Sequence, residues 1–322
     1  MRFDTPFIKL PFQFDAEALE REVRALPPSV WVPHPTGFKG NEAVRLITVN
    51  GQPTDAFEGP MRPTENLARL PYVQQIMAEL DGVWSRSRLM GLGPGAEVPE
   101  HVDAHYQWRT HVRIHVPVIT DPKVLFTCDD ETVHMAPGEC WLFDSFRWHR
   151  VENGWSERRV HLVLDSVMTP SLRKFVEDAA AGAETRTIAP AANRARSLKF
   201  ETLNVSPVMS PWEMRCHTEF ILDHAVEHPA LESIRGRLER FTEAWGAVWA
   251  QFGMSMQGLA DYRQLLVEAR ADIAGLAPDD VVLGNSLLVR DVLDSMIFIP
   301  ALVPSLAAGN VVGSVTAQRL AS

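Results

Sequence analysis

Thr110-His-Val-Arg-Ile-His-Val-Pro-Val118 is a run in which polar residues alternate with mostly β-branched apolar residues at a period of two. Such alternation is typical of a β-strand with one buried face. Similar short runs follow, with turn residues between them: Val124-Leu-Phe-Thr127, Glu139-Cys-Trp-Leu-Phe-Asp144 and Arg158-Arg-Val-His-Leu-Val-Leu-Asp165. A series of this kind predicts an all-β barrel or sandwich.

A candidate metal-binding pair precedes these runs, in His101-Val-Asp103. Side chains two residues apart on an extended segment point to the same face, so both can bind one ion. By itself the pair is equally compatible with a surface turn after Pro99. His149, from a distant strand, would complete a set of two imidazoles and one carboxylate. That set suits Fe(II) and leaves positions open for O2 and a chelating co-substrate.

These stretches resemble the Fe(II)/2-oxoglutarate oxygenases of the aspartyl/asparaginyl β-hydroxylase superfamily, and most closely its bacterial proline 3-hydroxylase branch. The resemblance covers about residues 71–165. It rests on Ala78-Glu-Leu-Asp-Gly82, Arg86-Ser-Arg88, Pro99-Glu-His-Val-Asp103, Asp130-Glu-Thr-Val-His-Met-Ala-Pro-Gly138 with the strand that follows, and the spacing from His149 to Arg159. It implies a double-stranded β-helix (jelly-roll, cupin-like) core with flanking helices.

The resemblance also implies a role for each residue of the candidate metal site. His101, Asp103 and His149 match the family's iron ligands and are expected to be the catalytic centre. The membrane-bound aspartyl hydroxylases of the family have a glycine in place of the aspartate. Because this chain keeps Asp103, it resembles the bacterial small-molecule branch, and hydroxylation is the expected outcome, although desaturation and ring formation use the same ligands.

Co-substrate binding is implied for three further residues. Arg159 matches the family's anchor for the distal carboxylate of 2-oxoglutarate, Arg113 matches a second arginine, and His115 is expected to support them. Arg158 and Arg159 are adjacent on a strand, so only one of the two can point into a barrel. The family spacing favours Arg159.

The resemblance implies a hydroxylase that acts on an amino acid, perhaps proline-like, or on an amino-acid residue of a peptide or carrier-bound substrate. Two alternatives stay open: a cupin-like metal-binding barrel without oxygenase activity, and a protein or peptide aspartyl hydroxylase. Several residues close to the site in sequence are candidates for substrate contacts, and each could equally be a solvated loop residue or barrel packing. They are Arg86, Arg88, His105, Tyr106, Trp108 and Arg109.

Composition narrows the class of partner. The chain has 322 residues, a net charge of −10 and a pI near 5.6, which argues against a nucleic-acid or anionic-membrane surface. Its first residues form no apolar signal stretch, and no run approaches membrane-spanning length. Three widely spaced cysteines indicate reduced thiols, so we expect a cytoplasmic protein.

The chain is predicted to form two domains. Residues 1–168 are expected to hold the oxygenase domain, with an N-terminal strand and a helix capped by Asp15, and 169–199 to form a linker. Residues 200–322 are expected to be helical, because Ser210-Pro-Trp-Glu213 is a capping box and a later apolar stripe has helical spacing. This region could wall the pocket, pair two subunits as a homodimer, or brace the barrel.

Overall fold

Residues 3–191 and 197–303 are described by a computed structural model of the chain and divide into two units. The first unit consists of residues up to Asp103 and of Trp108–Thr202. The second consists of Ala104–Gln107 and of the described residues from Leu203 onward. Among all these residues no helix is long and apolar enough to cross a membrane.

The first unit is built mainly from strands, which form two sheets. The strands are β1 (Phe7–Phe14), β2 (Val32–Pro33), β3 (Asn41–Val49), β4 (Met61–Pro63), β5 (Val83–Leu92), β6 (Glu97–His101), β7 (His111–Ile119), β8 (Val124–Cys128), β9 (Glu131–Val133), β10 (Glu139–Phe143), β11 (His149–Asn153), β12 (Arg159–Val167), β13 (Arg186–Ile188) and β14 (Lys199–Phe200). The larger sheet has the order β13-β1-β10-β7-β12-β5-β3-β2, with β14 beside β5 and β4 beside β3. The smaller sheet has the order β6-β11-β8-β9.

One face of the larger sheet is apolar and packs against helices. The helices of this unit are α1 (Ala16–Arg24), α2 (Glu65–Ala68), α3 (Pro71–Leu80) and α4 (Pro170–Ala180). Every second residue of the two central strands belongs to one buried cluster with side chains of these helices: Val112, Ile114, Val116 and Val118 of β7, and Val160, Leu162 and Leu164 of β12. The alternate residues of β7 and β12 therefore point the other way, towards the smaller sheet.

The two sheets face each other across a second apolar cluster. It combines Phe7, Leu92 and Phe143 of the larger sheet with Phe126, Cys128 and Val151 of the smaller one, and it also includes Met135. The space between the sheets is therefore closed by aromatic and aliphatic side chains in one part. The arginines of β5, the histidines and arginine of β7, and Arg159, His161 and Asp165 of β12 lie on this same inner face of the larger sheet.

The helix cap predicted at Asp15 is confirmed by the structure, and a tight turn follows β3. The side chain of Asp15 accepts a hydrogen bond from the backbone N–H of Ala18 at 2.9 Å and caps α1. Asn50 and Gly51, which follow β3, have φ values of 54° and 70°. Positive φ at both central positions is what a tight hairpin turn requires, and these two residue types tolerate it best.

The predicted linker over 169–199 is wrong for the residues that the structure describes. Helix α4 begins after Thr169, whose side chain accepts a hydrogen bond from Leu172 N. Strands β13 and β14 then pair in parallel with β1 and β5 of the larger sheet. Strands of two or three residues show too little alternation to be detected, and the sheet edge supplies the pairing. Residues 192–196 lie outside the described residues.

The second unit is helical, as predicted, and contains α5 (Pro211–Asp223), α6 (Ala230–Phe252), α7 (Leu259–Leu276) and α8 (Val289–Leu293), which continues as a π-helix over Asp294–Phe298. Ser210 caps α5 by accepting a hydrogen bond from Glu213 N. The predicted stripe on α6 is buried at Ile234, Leu238, Phe241 and Trp245. Residues 304–322 of the predicted helical region lie outside the described residues.

Gly138 links β1 and β7 through its backbone, because it accepts a hydrogen bond from Phe14 N and donates one to Pro117 O. Replacement of Gly138 tests this close contact. Gly138 has a φ of 76°, and a Cβ atom there would lie 2.2 Å from the backbone oxygen of Phe14. Backbone strain and this clash together should lower the free energy of unfolding of Gly138→Ala by about 3 kcal/mol or more. Urea denaturation followed by circular dichroism measures the change.

Gly182 provides the matched control, because its φ is 70° and a Cβ atom there would meet nothing within 4 Å. Gly182→Ala therefore carries the backbone strain alone, about 1 kcal/mol. Equal losses of stability in the two variants would show that the contact with β1 is unimportant.

Candidate active site

Three potential metal ligands come together at the end of the smaller sheet. His101 is the last residue of β6, and His149, the first residue of β11, is its partner in the antiparallel ladder. Asp103 follows β6, and its backbone N–H donates to Ser145 O at 2.9 Å. The ligand atoms of these three residues all lie within 4.8 Å of one another. The structure thus assembles the set of residues predicted from the sequence into one potential metal site.

Both imidazole rings are oriented by backbone carbonyl groups. The Nδ1 atom of His101 lies 2.8 Å from Pro99 O, and that of His149 lies 2.9 Å from Arg147 O. A carbonyl oxygen only accepts hydrogen bonds, so each Nδ1 carries the proton and each Nε2 keeps its lone pair. This second layer of contacts is typical of histidines that bind a metal ion through Nε2.

The carboxylate of Asp103 is held by Arg113, which in turn is held by Asp165. Arg113 Nη1 donates to Asp103 Oδ2 at 3.1 Å, while its Nε and Nη2 donate to the two oxygens of Asp165 at 2.9 and 3.1 Å. The guanidinium also lies 4.4 Å from the ring centroid of Trp108. One oxygen of Asp103 therefore remains for a metal ion, and the other is fixed in place.

Electrostatics favour the protonation states that metal binding needs. Burial, followed by the charge of the neighbouring His101, lowers the pKa of His149 to about 3. Burial alone would raise the pKa of Asp103, but the charge of Arg113, followed by the charges of the two histidines, lowers it overall. Near neutral pH, His149 is accordingly neutral and Asp103 ionised, which are the ligand forms.

Arg159 lies on the same inner face and has no visible counter-charge. The residue is 4% exposed, and its Nε atom has no hydrogen-bond partner. In residues 3–191 and 197–303, no carboxylate forms an ion pair with it, and burial lowers its pKa to about 9. Because an unpaired buried charge costs several kcal/mol, this arrangement favours an anionic ligand.

Two buried histidines lie close to Arg159 on the inner face. The Nδ1 atoms of His115 and His161 are 3.4 Å apart, and the Nε2 atom of each has no hydrogen-bond partner in the described chain. Burial, followed by the charge of Arg159, lowers the pKa of both rings. Both are neutral, so each can donate or accept one hydrogen bond at Nε2, depending on its tautomer.

The adjacent arginine points the opposite way. The Arg158 side chain is 42% exposed, donates from Nη1 to Glu42 at 3.0 Å, and lies 4.1 Å from the centroid of Trp31. The parity argument for this pair of arginines thus agrees with the structure. The co-substrate roles of Arg159, Arg113 and His115 stay predictions. For Arg113, the observed contacts are with Asp103 and Asp165.

Two residues of this site were missed in the sequence. Asp165 and His161 lie six and two residues after Arg159, so period-two alternation already places them on its face. The parity of β12 was the available signal. No sequence pattern predicted that Asp165 would hold Arg113, since their contact depends on the pairing of β12 with β7.

Comparison with known proteins gives one family match. The family model described as aspartyl/asparaginyl β-hydroxylase matches residues 49–169, which is less than half of the chain. This range includes the three potential metal ligands and Arg159. No curated protein matches the chain.

Solved structures with some similarity include three oxygenases. An oxidoreductase of the 2OG-Fe(II) oxygenase family from Burkholderia pseudomallei is 15% identical over 51% of this chain and 86% of its own, with a TM-score of 0.38. A prolyl-4-hydroxylase from Pseudomonas putida is 14% identical over 52% and 95%, with a TM-score of 0.35. HygX from Streptomyces hygroscopicus, solved with nickel and 2-oxoglutarate, is 13% identical over 52% and 84%, with a TM-score of 0.36.

Replacement of Asp165 tests how Arg113 is held. Asp165→Asn removes the carboxylate that balances Arg113, so the guanidinium charge acts on Asp103 alone and competes with a metal ion. We expect the affinity for Fe(II) to fall about tenfold or more, as measured by calorimetric titration without oxygen.

Glu42→Gln serves as the control, because Glu42 pairs with Arg158 at 3.0 Å, and Arg158 points away from the site. This control should bind Fe(II) within about threefold of the unmodified protein. Equal affinities in Asp165→Asn and Glu42→Gln would refute the positioning role of Asp165.

Proposed function

We propose that this protein is an Fe(II)- and 2-oxoglutarate-dependent hydroxylase with a double-stranded β-helix core. Its substrate is an amino acid, such as a proline-like one, or an amino-acid residue of a peptide or carrier-bound molecule. The observation that carries the proposal is the combination of a His-Asp-His ligand set with an unpaired, buried arginine on the same inner face. The family match over residues 49–169 supports the same assignment.

The ligand set fits Fe(II). His101 and His149 would hold the ion through Nε2 and Asp103 through one carboxylate oxygen, a set of two imidazoles and one carboxylate that suits Fe(II) and would leave room for other ligands. When bound here with 2-oxoglutarate, Fe(II) supplies activation of O2, so that one oxygen atom enters a substrate C–H bond and the other enters succinate as CO2 leaves.

Arg159 is assigned to the distal carboxylate of 2-oxoglutarate. Its planar guanidinium can bind a carboxylate through two parallel hydrogen bonds, and burial strengthens the interaction. The Nε2 atoms of His161 and His115 lie nearby and have no hydrogen-bond partner in the described chain. A ring whose tautomer carries the proton on Nε2 can donate a hydrogen bond to the same carboxylate. In this assignment Arg113 acts on the metal site by holding Asp103.

The alternative is a cupin-like barrel that binds a metal ion without oxygenase activity. Such a barrel needs the metal ligands but has no use for a buried arginine without a counter-ion. Arg159 therefore favours the oxygenase. A peptide aspartyl hydroxylase would share the site, but the retention of Asp103 matches the small-molecule branch that the sequence resembles.

Formation of the metal chelate tests the function directly. Without oxygen, addition of Fe(II) and 2-oxoglutarate to the metal-free protein should produce the weak visible charge-transfer band of the bound chelate. His149→Ala removes one ligand and should abolish the band. If Fe(II) binds to the unmodified protein and no band appears on addition of 2-oxoglutarate, the metal-binding barrel is the correct assignment.

Co-substrate binding is tested by a variant of Arg159, with a variant of the neighbouring Arg158 as the control. Arg159→Gln should weaken the binding of 2-oxoglutarate about a hundredfold or more, because it removes a buried charged partner, and Arg159→Lys should restore only part of the loss. Titration of the charge-transfer band measures the affinity.

Arg158→Gln should leave the affinity unchanged, because Arg158 is half-exposed and pairs with Glu42. Full affinity in Arg159→Gln would remove Arg159 from the site.

A further inference from the structure

A second pair of buried arginines lies on β5, apart from the residues assigned to the metal ion and the co-substrate. Arg86 and Arg88 are 8% and 4% exposed. They are two residues apart on one strand, so their side chains share a face. In the ladders of β12, Arg88 and His115 both pair with Val163. The two arginines therefore lie on the inner face that also carries Arg113.

Neither arginine is neutralised by a carboxylate among residues 3–191 and 197–303. Arg86 Nη1 donates to the backbone oxygen of Asp55 at 2.9 Å, its guanidinium lies 3.5 Å from the ring centroid of Phe57, and its Nε has no hydrogen-bond partner. Arg88 Nη1 donates to His34 Nε2 at 3.0 Å. Burial, followed by the charge of Arg88, lowers the pKa of His34 to about 3, so His34 is neutral and supplies no negative charge.

Two of the nearby carboxylates are engaged by other arginines. Both oxygens of Asp55 accept hydrogen bonds from Arg45, and both oxygens of Asp165 accept from Arg113. A third, Glu58, is buried near Arg86 without an ion pair to it, and burial raises the pKa of Glu58. Two cations at least nine-tenths buried therefore share one wall of the interior without an ion-pair partner among the described residues. Such an arrangement is costly unless an anion binds.

A co-substrate held by Arg159 is too far away to pair with both arginines. Arg159 lies four residues before Val163, the partner of Arg88, and six residues before Asp165, beside which Arg86 lies. Arg159 is therefore about 13 Å from Arg88 and about 20 Å from Arg86 along the strands. Arg86 and Arg113, in contrast, lie on either side of Asp165 with β12 alone between them, which is about 10 Å. A molecule the size of an amino acid can therefore span from the β5 arginines towards the metal ligands.

We propose that Arg86 and Arg88 bind a carboxylate of the substrate, so that the substrate is a small free acid and not an internal residue of a peptide. This inference rests on the proposed function and narrows its substrate class. Two planar guanidinium groups on one face can bind a carboxylate through several charge-assisted hydrogen bonds. Phe57, stacked on Arg86, restricts the position of that guanidinium and adds an apolar wall.

The test compares acids with their amides. The full chain, loaded with Fe(II) and 2-oxoglutarate, is given the twenty standard L-amino acids and the corresponding carboxamides, with L-proline and L-prolinamide first, and succinate is measured. At least one acid should stimulate succinate formation, its amide should be at least about a hundredfold less effective, and Arg88→Met and Arg86→Met should lose the response to the acid to a similar extent.

The 2-oxoglutarate affinities of Arg88→Met and Arg159→Gln distinguish a failure of this inference from a failure of the proposed function. Arg88→Met should keep the affinity for 2-oxoglutarate in the charge-transfer titration, which also shows that it folds, whereas Arg159→Gln should lose it. If the band never forms, the proposed function fails. The arginine pair is then judged by thermal unfolding, where the pooled acids should raise the Tm of the unmodified protein and leave Arg88→Met unchanged.

Four outcomes would overturn the inference. The first is that an amide or a peptide-internal residue is as good a substrate as the free acid, and the second is a full response to the acid in Arg88→Met. The third is that no acid affects either succinate formation or Tm. The fourth is a rise in Tm with inorganic phosphate as large as that with the acids. The last result would assign the pair to phosphate-type anions.

Discussion

One face of the larger sheet carries more buried positive charges than carboxylates paired with them. This excess positive charge limits the stability of the interior of the first unit. Five arginines contribute to this face: Arg45, Arg86, Arg88, Arg113 and Arg159. Two of them are balanced by aspartates, in the pairs of Arg45 with Asp55 and of Arg113 with Asp165. The others have no carboxylate partner among the described residues. Because each unpaired charge opposes folding, the interior is best stabilised when anionic ligands are bound.

The opposite face of the same sheet provides the stability that this interior requires. The apolar residues of β7 and β12 are almost fully buried against α1 and α3, and each contributes roughly 1.5–3 kcal/mol on burial. The two functions share the same strands, because successive side chains point to opposite faces. A shift of the register by one residue would bury the arginines against the helices and expose the valines and leucines to the interior. Packing of the outer face therefore determines which polar residues reach the site.

The metal site is rigid for a related reason. Its ligands are held by groups that belong to the backbone or to other buried pairs: carbonyl oxygens orient His101 and His149, and Arg113 orients Asp103. Arg113 is itself held by Asp165 on the neighbouring strand. Ligands supported in this way lose little freedom when an ion binds, which favours tight and specific coordination.

Features that depend on local periodicity and local hydrogen bonding could be predicted from the sequence. These include the alternating strands, the caps at Asp15 and Ser210, and the shared face of His101 and Asp103. Three features depend on contacts between distant segments. His149 pairs with His101, Asp165 holds Arg113, and the buried Arg159, Arg86 and Arg88 form no ion pair with a carboxylate among the described residues. The short strands β13 and β14 were likewise decided by the sheet edges. The physical reason is that a residue's backbone preference is set by its neighbours in sequence, whereas its electrostatic partner is set by strand register and by which distant segments are desolvated together.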